Sequence, residues 1–392
     1  MKLKNRSLVQ IAFTIIVMAI VIIYYLYINE YIDYKIFSIG DLNPYGGWSA
    51  LKSFFTDVSY RFRGISYSMA LTVAISITAF LFGRIFCGYI CPIGAMQDFF
   101  KFMGNRLGLK EIRLPRWRYF NFELIKYLIL ILVLVLSILG LGHIISPLSP
   151  WVSYLNIFMG LSLKAGTIVL LAIAFLSLFI RRLFCRVFCP LGAFQALLSA
   201  IGPSTLEIGE NCGRCIYCMR NCPVHIERPK EREISPECIR CVQCINTPCI
   251  RGNEGYRIRL GKIIMKVKAY VSISLVIFIV IFIILPILGP KGSGEAMAKI
   301  EGLNDGTFTG TALGFGGNIE VELVVENRQI KDIKVLSHSE TTGYYEEVFR
   351  SLSRDIIERQ NLSVDAISGA TTTSRGFLNA VRRGISKSLE GN

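Results

Sequence analysis

Eight cysteines fall in two runs whose spacing suits iron–sulfur chemistry: Cys212-x2-Cys215-x2-Cys218-x3-Cys222-Pro223 and Cys238-x2-Cys241-x2-Cys244-x4-Cys249. A cubane cluster needs thiolates converging from several directions. Three cysteines at two-residue intervals wrap one corner, and a distant fourth closes it. Paired Cys-x2-Cys also suits tetrahedral zinc, but two interlocked tetrads at cubane spacing weigh against zinc. The remaining four cysteines lie in an internal repeat. Gly83-Arg-Ile-Phe-Cys-Gly-Tyr-Ile-Cys-Pro-Ile-Gly-Ala-Met-Gln97 parallels Arg181-Arg-Leu-Phe-Cys-Arg-Val-Phe-Cys-Pro-Leu-Gly-Ala-Phe-Gln195. A spacing of four puts Cys87 and Cys91, or Cys185 and Cys189, on one helix face if the backbone is helical there. Pro92 and Pro190 then mark a helix break or start. Three readings stay open: the copies face one another and pool four thiolates for a further metal centre, each pair is a dithiol relay, or the cysteines are small buried residues.

A third candidate is the stretch Asp365-Ala-Ile-Ser-Gly-Ala-Thr-Thr-Thr-Ser374, a turn leading into a helix. Its plain reading is structural, with Ser368-Gly369 making the turn and Thr373 or Ser374 capping the helix. A helix N-terminus is also where backbone N–H groups and the helix dipole hold a phosphate best.

The elements that must position these residues are largely apolar. Hydrophobic residues make up 52% of the 392-residue chain and charged residues only 18%, which points to a membrane rather than a soluble core. Five stretches are long enough to span a bilayer: roughly 8–28, 65–86, 122–141, 161–180 and 269–288. The first follows Lys2, Lys4 and Arg6, is too long for a signal-peptide core, and reads as an uncleaved anchor. Lys and Arg crowd the N-terminus, 83–120, the start of the second repeat copy and 262–268, while the loops 29–64 and 142–160 carry no such excess. That pattern places the N-terminus and every cysteine on the cytoplasmic side and the C-terminal domain outside. The net charge is +15. The tail from Lys291 has 12 basic and 14 acidic residues, so the excess lies beside the apolar segments. A nucleic-acid partner is not supported. All twelve cysteines lie between Cys87 and Cys249, unlike an exported disulfide framework. His143 and His225 have no histidine partners, so bis-histidine haem is not supported.

The expected architecture is a multi-domain membrane protein, an all-α bundle of about five helices with a cysteine-rich insert and a C-terminal α+β domain. Residues 1–204 hold spans one to four with the two repeat copies, 205–260 the insert, 261–290 the fifth span and 291–392 the tail domain. Within the tail, 307–333 alternates as strands broken by Gly314-Phe-Gly-Gly317, and 374–389 reads as an amphipathic helix.

The insert is similar to bacterial two-cluster ferredoxins, in which the fourth ligand belongs to the other cluster's run. That resemblance implies one 4Fe–4S cluster on Cys212, Cys215, Cys218 and Cys249, and another on Cys238, Cys241, Cys244 and Cys222. The second run departs from the pattern, with four residues before Cys249 and Pro248 ahead of it. Asp-x-x-Ser-Gly-Ala-Thr resembles the flavinylation motif of FMN-binding domains in the Rnf and sodium-pumping quinone reductase complexes. The likeness implies FMN joined to Thr371 by a phosphodiester, placed there by an extracytoplasmic flavin transferase. Asp365, Ser368, Gly369 and Ala370 then belong to the motif. Gly306-Thr-Phe-Thr-Gly310, the glycine turn and His338-Ser-Glu-Thr-Thr-Gly343 fit the same domain. His338, Glu340 and Thr341 are its further candidate flavin contacts, although His338 and Glu340 could instead merely close a strand end. The repeated Phe-Cys-x3-Cys-Pro-x-Gly-Ala beside two ferredoxin runs resembles the polyferredoxin membrane-protein family of NosR and NapH. In NosR-like proteins the flavin domain precedes the spans, and here it follows them.

These likenesses imply an electron-transfer subunit of a membrane oxidoreductase complex, alongside other membrane subunits. Electrons would run from a cytoplasmic donor, such as a reduced ferredoxin, through the clusters to FMN outside and on to an exported acceptor. Quinol oxidation feeding the same centres is one alternative. A redox sensor or maturation factor without turnover is another.

Overall fold

A computed structural model describes residues 5–29, 31–32, 34, 36–48, 65–112, 122–139, 141, 148–157, 165–208, 222–226, 234–245, 247, 256–288, 302–362, 364, 367 and 370–390. In chain order the helices are α1 (Asn5–Ile28), α2 (Tyr67–Phe82), α3 (Pro92–Arg106), α4 (Ile125–Ile138), α5 (Pro150–Leu155), α6 (Ala165–Ser177), α7 (Leu183–Val187), α8 (Pro190–Ile201), α9 (Val267–Leu288), α10 (Tyr345–Arg359) and α11 (Thr371–Glu390). The chain forms two compact units. One comprises Met1–Ala19, Val73–Tyr154 and Leu163–Ile281, the other Ile20–Thr72, Leu155–Ser162 and Phe282–Asn392.

Of the five expected spans, two become helices long and apolar enough to cross a membrane, within α1 (Arg6–Ile28) and as α9. Only 11% of each window is buried, unlike the core helix of a soluble protein. The other three stretches form shorter apolar helices: α2, α4 and α6 have 16, 14 and 13 residues. At about 1.5 Å per residue they reach roughly 20–24 Å, short of a ~30 Å hydrocarbon core. Among the described residues, full spanning length is thus shown for α1 and α9 alone. One shortening has a clear cause. α2 stops at Gly83, whose φ of +69° suits glycine, and a Cβ there would lie 2.7 Å from Arg240 Nε. α4 and α6 still expose Leu128, Ile131, Val135, Ile168, Leu171 and Phe175, outward faces that suit lipid.

In the first unit, α3 packs on α6 and α8 on α4. The insert is clamped at its base by β1 (Ser204–Ile208) and β2 (Tyr256–Leu260), paired antiparallel from Ser204↔Leu260 to Ile208↔Tyr256. β3 (Ile263–Met265) adds to β2, so the insert's sheet runs past the expected boundary at 260 before α9 begins. Residues 142–160, expected as a loop, contain α5, and its Trp151, Val152 and Tyr154 are buried. Trp151 lies 6.2 Å from the Phe86 ring, so α5 folds back against the first repeat copy. Non-surface backbone of this kind is tolerated where protein covers it.

In the second unit, β4 (Gly306–Leu313), β5 (Asn318–Glu326) and β6 (Gln329–Ser337) form an antiparallel meander. Alternate β5 residues Ile319, Val321, Leu323 and Val325 face a core completed by Val348, Leu352 and Ile356 of α10 and Phe377, Ala380 and Val381 of α11. Period-two burial on the strands and an amphipathic α11 match the sequence reading, whereas α10 was not anticipated. The same unit binds the end of α1. Tyr24 OH donates to Gly343 O and Glu347 Oε2, both at 3.2 Å, and Arg350 Nη1 donates to Tyr27 O at 3.0 Å. A guanidinium there complements the free carbonyls of a helix C-terminus.

Candidate iron–sulfur and flavin sites

In each repeat copy the first cysteine lies in a short helical turn and the second begins the next helix. Cys87 sits in the π-turn Phe86–Ile90 and Cys185 in α7, while Cys91 and Cys189 are the N-cap residues of α3 and α8. The paired cysteines therefore straddle a helix start and do not share one helix face. Pro92 and Pro190 occupy the first helical position, where a missing N–H costs nothing. Gly192 N–H donates to Cys189 Sγ at 3.3 Å, and Gly94 N–H serves Cys91 in the same way. Sulfur at this place meets free N–H groups and the positive end of a helix dipole, which favour a thiolate.

The copies meet crosswise. Gln97 Nε2 donates to Cys185 Sγ at 3.2 Å, and Cys87 Sγ donates to Gln195 Oε1 at 3.6 Å. Arg182 Nη1 donates to the Cys87 carbonyl at 2.7 Å. A Cβ on Gly94 would lie 3.3 Å from Arg182 Nη2, and one on Gly192 2.7 Å from Arg84 Nη2. Each copy's glycine is thus packed on the other copy's arginine. Cys91 lies within electrostatic reach of Cys87, Cys185 and Cys189. Burial pushes Cys189 up to about 12, with Cys185 and Cys87 adding to the rise, and pushes Cys91 and Cys185 up as well. As free thiols these groups stay protonated, and a metal would take them as thiolates.

Two buried arginines flank the four sulfurs, and each has a carboxylate. Arg182 forks onto Asp98 (Nε–Oδ1 2.9 Å, Nη2–Oδ2 2.7 Å), and Arg6 Nη2 joins at 2.6 Å. Burial alone would raise Asp98, but Arg182 and Arg6 outweigh it and hold the carboxyl at about 2. Arg84 Nη1 reaches Glu237 Oε2 at 2.6 Å, and Lys126 and Tyr127 bind the same carboxylate. Arg84 and Arg182 both favour the thiolate of Cys185.

Of the ferredoxin-type cysteines, Cys222, Cys238, Cys241 and Cys244 are described, each within electrostatic reach of others in the set. N–H groups of Val224, His225 and Ile226 serve Cys222, that of Arg240 serves Cys238 and that of Ile245 serves Cys244. His225, Arg240 and Val242 have φ of 51°, 49° and 52°. Left-handed non-glycine residues are costly and persist where surroundings demand them. Here they occur in loops whose N–H groups turn onto sulfur, the donor set that a cluster's thiolates need. Burial pushes Cys238 up to about 11. His225 itself is bonded to Glu111 (Nε2–Oε1 2.8 Å), which also pairs with Arg181. Cys212, Cys215, Cys218 and Cys249 lie outside the described residues. Among the described residues, no three Cys, His, Asp or Glu side chains converge closely enough to hold a single metal ion. The second cysteine run presses on the first repeat copy. Tyr89 OH donates to Cys241 O at 3.4 Å, and a Cβ on Gly88 would lie 2.4 Å from Ile239 O.

In the C-terminal domain α11 begins at Thr371, so the motif's threonine backbone stands at a helix N-terminus. The Thr371 side chain and the whole of Asp365, Ser368 and Gly369 lie outside the described residues. Ala370 is buried and accepts from Ser374 N and Oγ at 2.9 and 3.0 Å. Ser374 Oγ also receives Ile367 N–H at 3.0 Å, so this serine closes the loop from inside the first turn and is not the N-cap. Glu340, buried, accepts from Gly316 N at 3.0 Å and from Thr373 Oγ1 at 2.5 Å. It ties the glycine turn to α11, and a Cβ on Gly314 would fall 2.2 Å from its Oε1. Thr341 O accepts from Tyr344 N and opens the turn into α10. His338 packs on Tyr345 and Phe349 at 4.2 and 5.0 Å, and its burial lowers the imidazole pKa.

Comparisons with known proteins agree with this geometry. The family model described as a 4Fe-4S binding domain matches residues 67–110 and 164–208, the two repeat copies and the helices around them. The FMN-binding domain model matches residues 314–386. The methylamine utilization ferredoxin-type protein MauN of Methylobacillus flagellatus is 32% identical over 209 residues, 49% of this chain and 68% of MauN. The putative electron transport protein YccM of Escherichia coli is 31% identical over 166 residues, 41% of this chain and 46% of YccM. The regulatory protein NosR of Pseudomonas aeruginosa is 31% identical over 159 residues, 39% of this chain and 22% of NosR. The chain thus spans less than half the length of YccM and about a fifth of NosR. In the sequence Gln97, Gln195, Arg84 and Arg182 stand out only as parts of the repeat. Their identity in both copies was the available signal.

Proposed function

Because the chain belongs to the ferredoxin-type family of NosR and NapH and carries an FMN-binding domain, we propose that it conducts electrons across a membrane between iron–sulfur centres and a covalently held flavin. The observation that carries this reading is the contact between the second cysteine run and the first repeat copy, Tyr89 OH on Cys241 O with Gly88 against Ile239 O. It brings the backbone of the second cysteine run against that of the first repeat copy, the adjacency that stepwise transfer needs. Cys222, Cys238, Cys241 and Cys244 would hold one 4Fe–4S cluster, Cys212, Cys215, Cys218 and Cys249 another, and Cys87, Cys91, Cys185 and Cys189 a further centre. Clusters supply single electrons, and FMN passes one or two, which suits a junction with a two-electron acceptor.

The protein's own part is electrostatic and positional. N–H groups converge on the sulfurs, and Arg84 and Arg182 offset part of the negative charge that four buried thiolates bring. The start of α11 would hold the FMN phosphate at Thr371, attached by an external flavin transferase, and Glu340 fixes the glycine turn beside it. α1 and α9 would anchor the chain, with shorter apolar helices completing a bundle alongside partner subunits. The donor would be a cytoplasmic ferredoxin or similar protein, and the acceptor an exported redox protein.

The similarity to NosR, a regulatory protein, favours a second reading as a redox sensor without turnover. Proteoliposomes containing the purified protein separate the two. Rapid reduction of bound flavin by reduced ferredoxin is expected of a conduit, and its absence would sink that reading. Reduction driven by quinol under the same conditions would replace the donor with the membrane pool.

A further inference from the structure

We propose that Gln97 and Gln195 are a reciprocal pair of positioning residues whose side-chain N–H groups donate, each across the repeat, to the thiolates of Cys185 and Cys87. This rests on the reading that the four repeat cysteines hold a metal centre. Both glutamines are fully buried. Gln97 is locked in orientation: its Oε1 accepts from Phe184 N at 3.2 Å, which leaves Nε2 to reach Cys185 Sγ at 3.2 Å and Ile93 O at 3.4 Å.

Gln195 shows the opposite polarity. Its Oε1 faces Cys87 Sγ at 3.6 Å, and its Nε2 is buried without a hydrogen-bond partner. Burying an amide N–H without a partner is costly, so this arrangement fits only a protonated Cys87, which donates. A metal-bound Cys87 has no proton and can only accept. Turning the Gln195 amide over then points Nε2 at the sulfur and reproduces the bond that Gln97 already makes in the other copy.

The chemistry that follows is a matter of charge. N–H donors on a cluster's sulfurs stabilise the more negative, reduced state and raise its potential. The first cysteine of each pair would take its donor from the opposite copy. The second takes one from its own helix start, as Gly192 N–H does for Cys189. Every sulfur of the centre would then carry an N–H donor.

The test is a redox titration of the full-length protein in detergent, followed by electron paramagnetic resonance with iron analysis. The signal that Cys87→Ser abolishes defines the centre. If Cys87→Ser removes neither signal nor iron, the reading of a repeat centre fails. Given that signal, Gln97→Leu and Gln195→Leu are each expected to move its midpoint to more negative values at unchanged iron content, and the double variant further. An unmoved midpoint with full iron overturns the glutamine proposal alone. If the leucine variants lose iron, Gln97→Asn and Gln195→Asn, which keep an amide too short to reach sulfur, should retain iron with a negative shift, and an unshifted midpoint there overturns it equally.

Discussion

Thr371 is the residue on which the proposed flavin attachment turns. A helix start offers phosphate the free N–H groups of its first turn, and α11 begins at this position. Mass spectrometry of the purified chain should show an increase matching one phosphoester-linked FMN, and Thr371→Ala should abolish it. Nearby, Gly376 behaves against the usual helix rule. Glycine to alanine inside a helix normally stabilises by up to about 1 kcal/mol. Here the added Cβ would lie 2.5 Å from Gly314 Cα. Gly376→Ala should therefore destabilise the domain, by about 1–3 kcal/mol as overpacking does. Hydrogen exchange of α11 amides in the full chain would report faster opening, and slower exchange would contradict the packing.

At the scale of elements, two short helical turns and two proline-started helices of the repeat meet crosswise; the Arg182–Asp98 pair ties the copies together and Arg84–Glu237 ties the first copy to the insert. Arg182 is fully buried, so Asp98→Asn leaves a buried charge with only carbonyl and amide partners. The expected loss is about 3 kcal/mol or more, read by denaturation in detergent. Its pH dependence has a definite sign. Asp98 is depressed to about 2 in the folded protein, so its stabilisation is complete above the unfolded value near ~4. That stabilisation fades as pH falls from there towards 2, and the gap between wild type and Asp98→Asn should narrow over the same range. The contact between the insert and the π-turn is equally specific. Gly88→Ala places a Cβ 2.4 Å from Ile239 O, and should displace the second cysteine run and lower bound iron while α1 and α9 still insert.

For the whole molecule the decisive measurement is sidedness. The distribution of Lys and Arg predicts that Cys212 and Thr371 lie in opposite compartments. Cysteine labelling and protease protection in oriented vesicles would find them so, and one shared compartment would dismiss a transmembrane conduit. Loss of the α5 segment's burial should also be felt at the repeat. Trp151→Ala removes a large side chain packed on Phe86 and should cost about 3–5 kcal/mol.

The linear sequence by itself determined which residues could carry chemistry. Thiol spacing, the duplicated motif and the strand alternation of the tail are local patterns, and local patterns survive without knowledge of contacts. It also located the apolar stretches, because transfer into lipid depends on composition over a window. What only the tertiary structure decided is how these patterns meet. Gln97 reaches Cys185 and Gln195 meets Cys87 across the repeat, Pro150–Leu155 folds back as α5, and Ser374 closes a loop from inside α11 where it or Thr373 was expected to cap the helix. Each depends on side chains distant in sequence, or on where a backbone polar group finds its partner, and neither periodicity nor spacing encodes that.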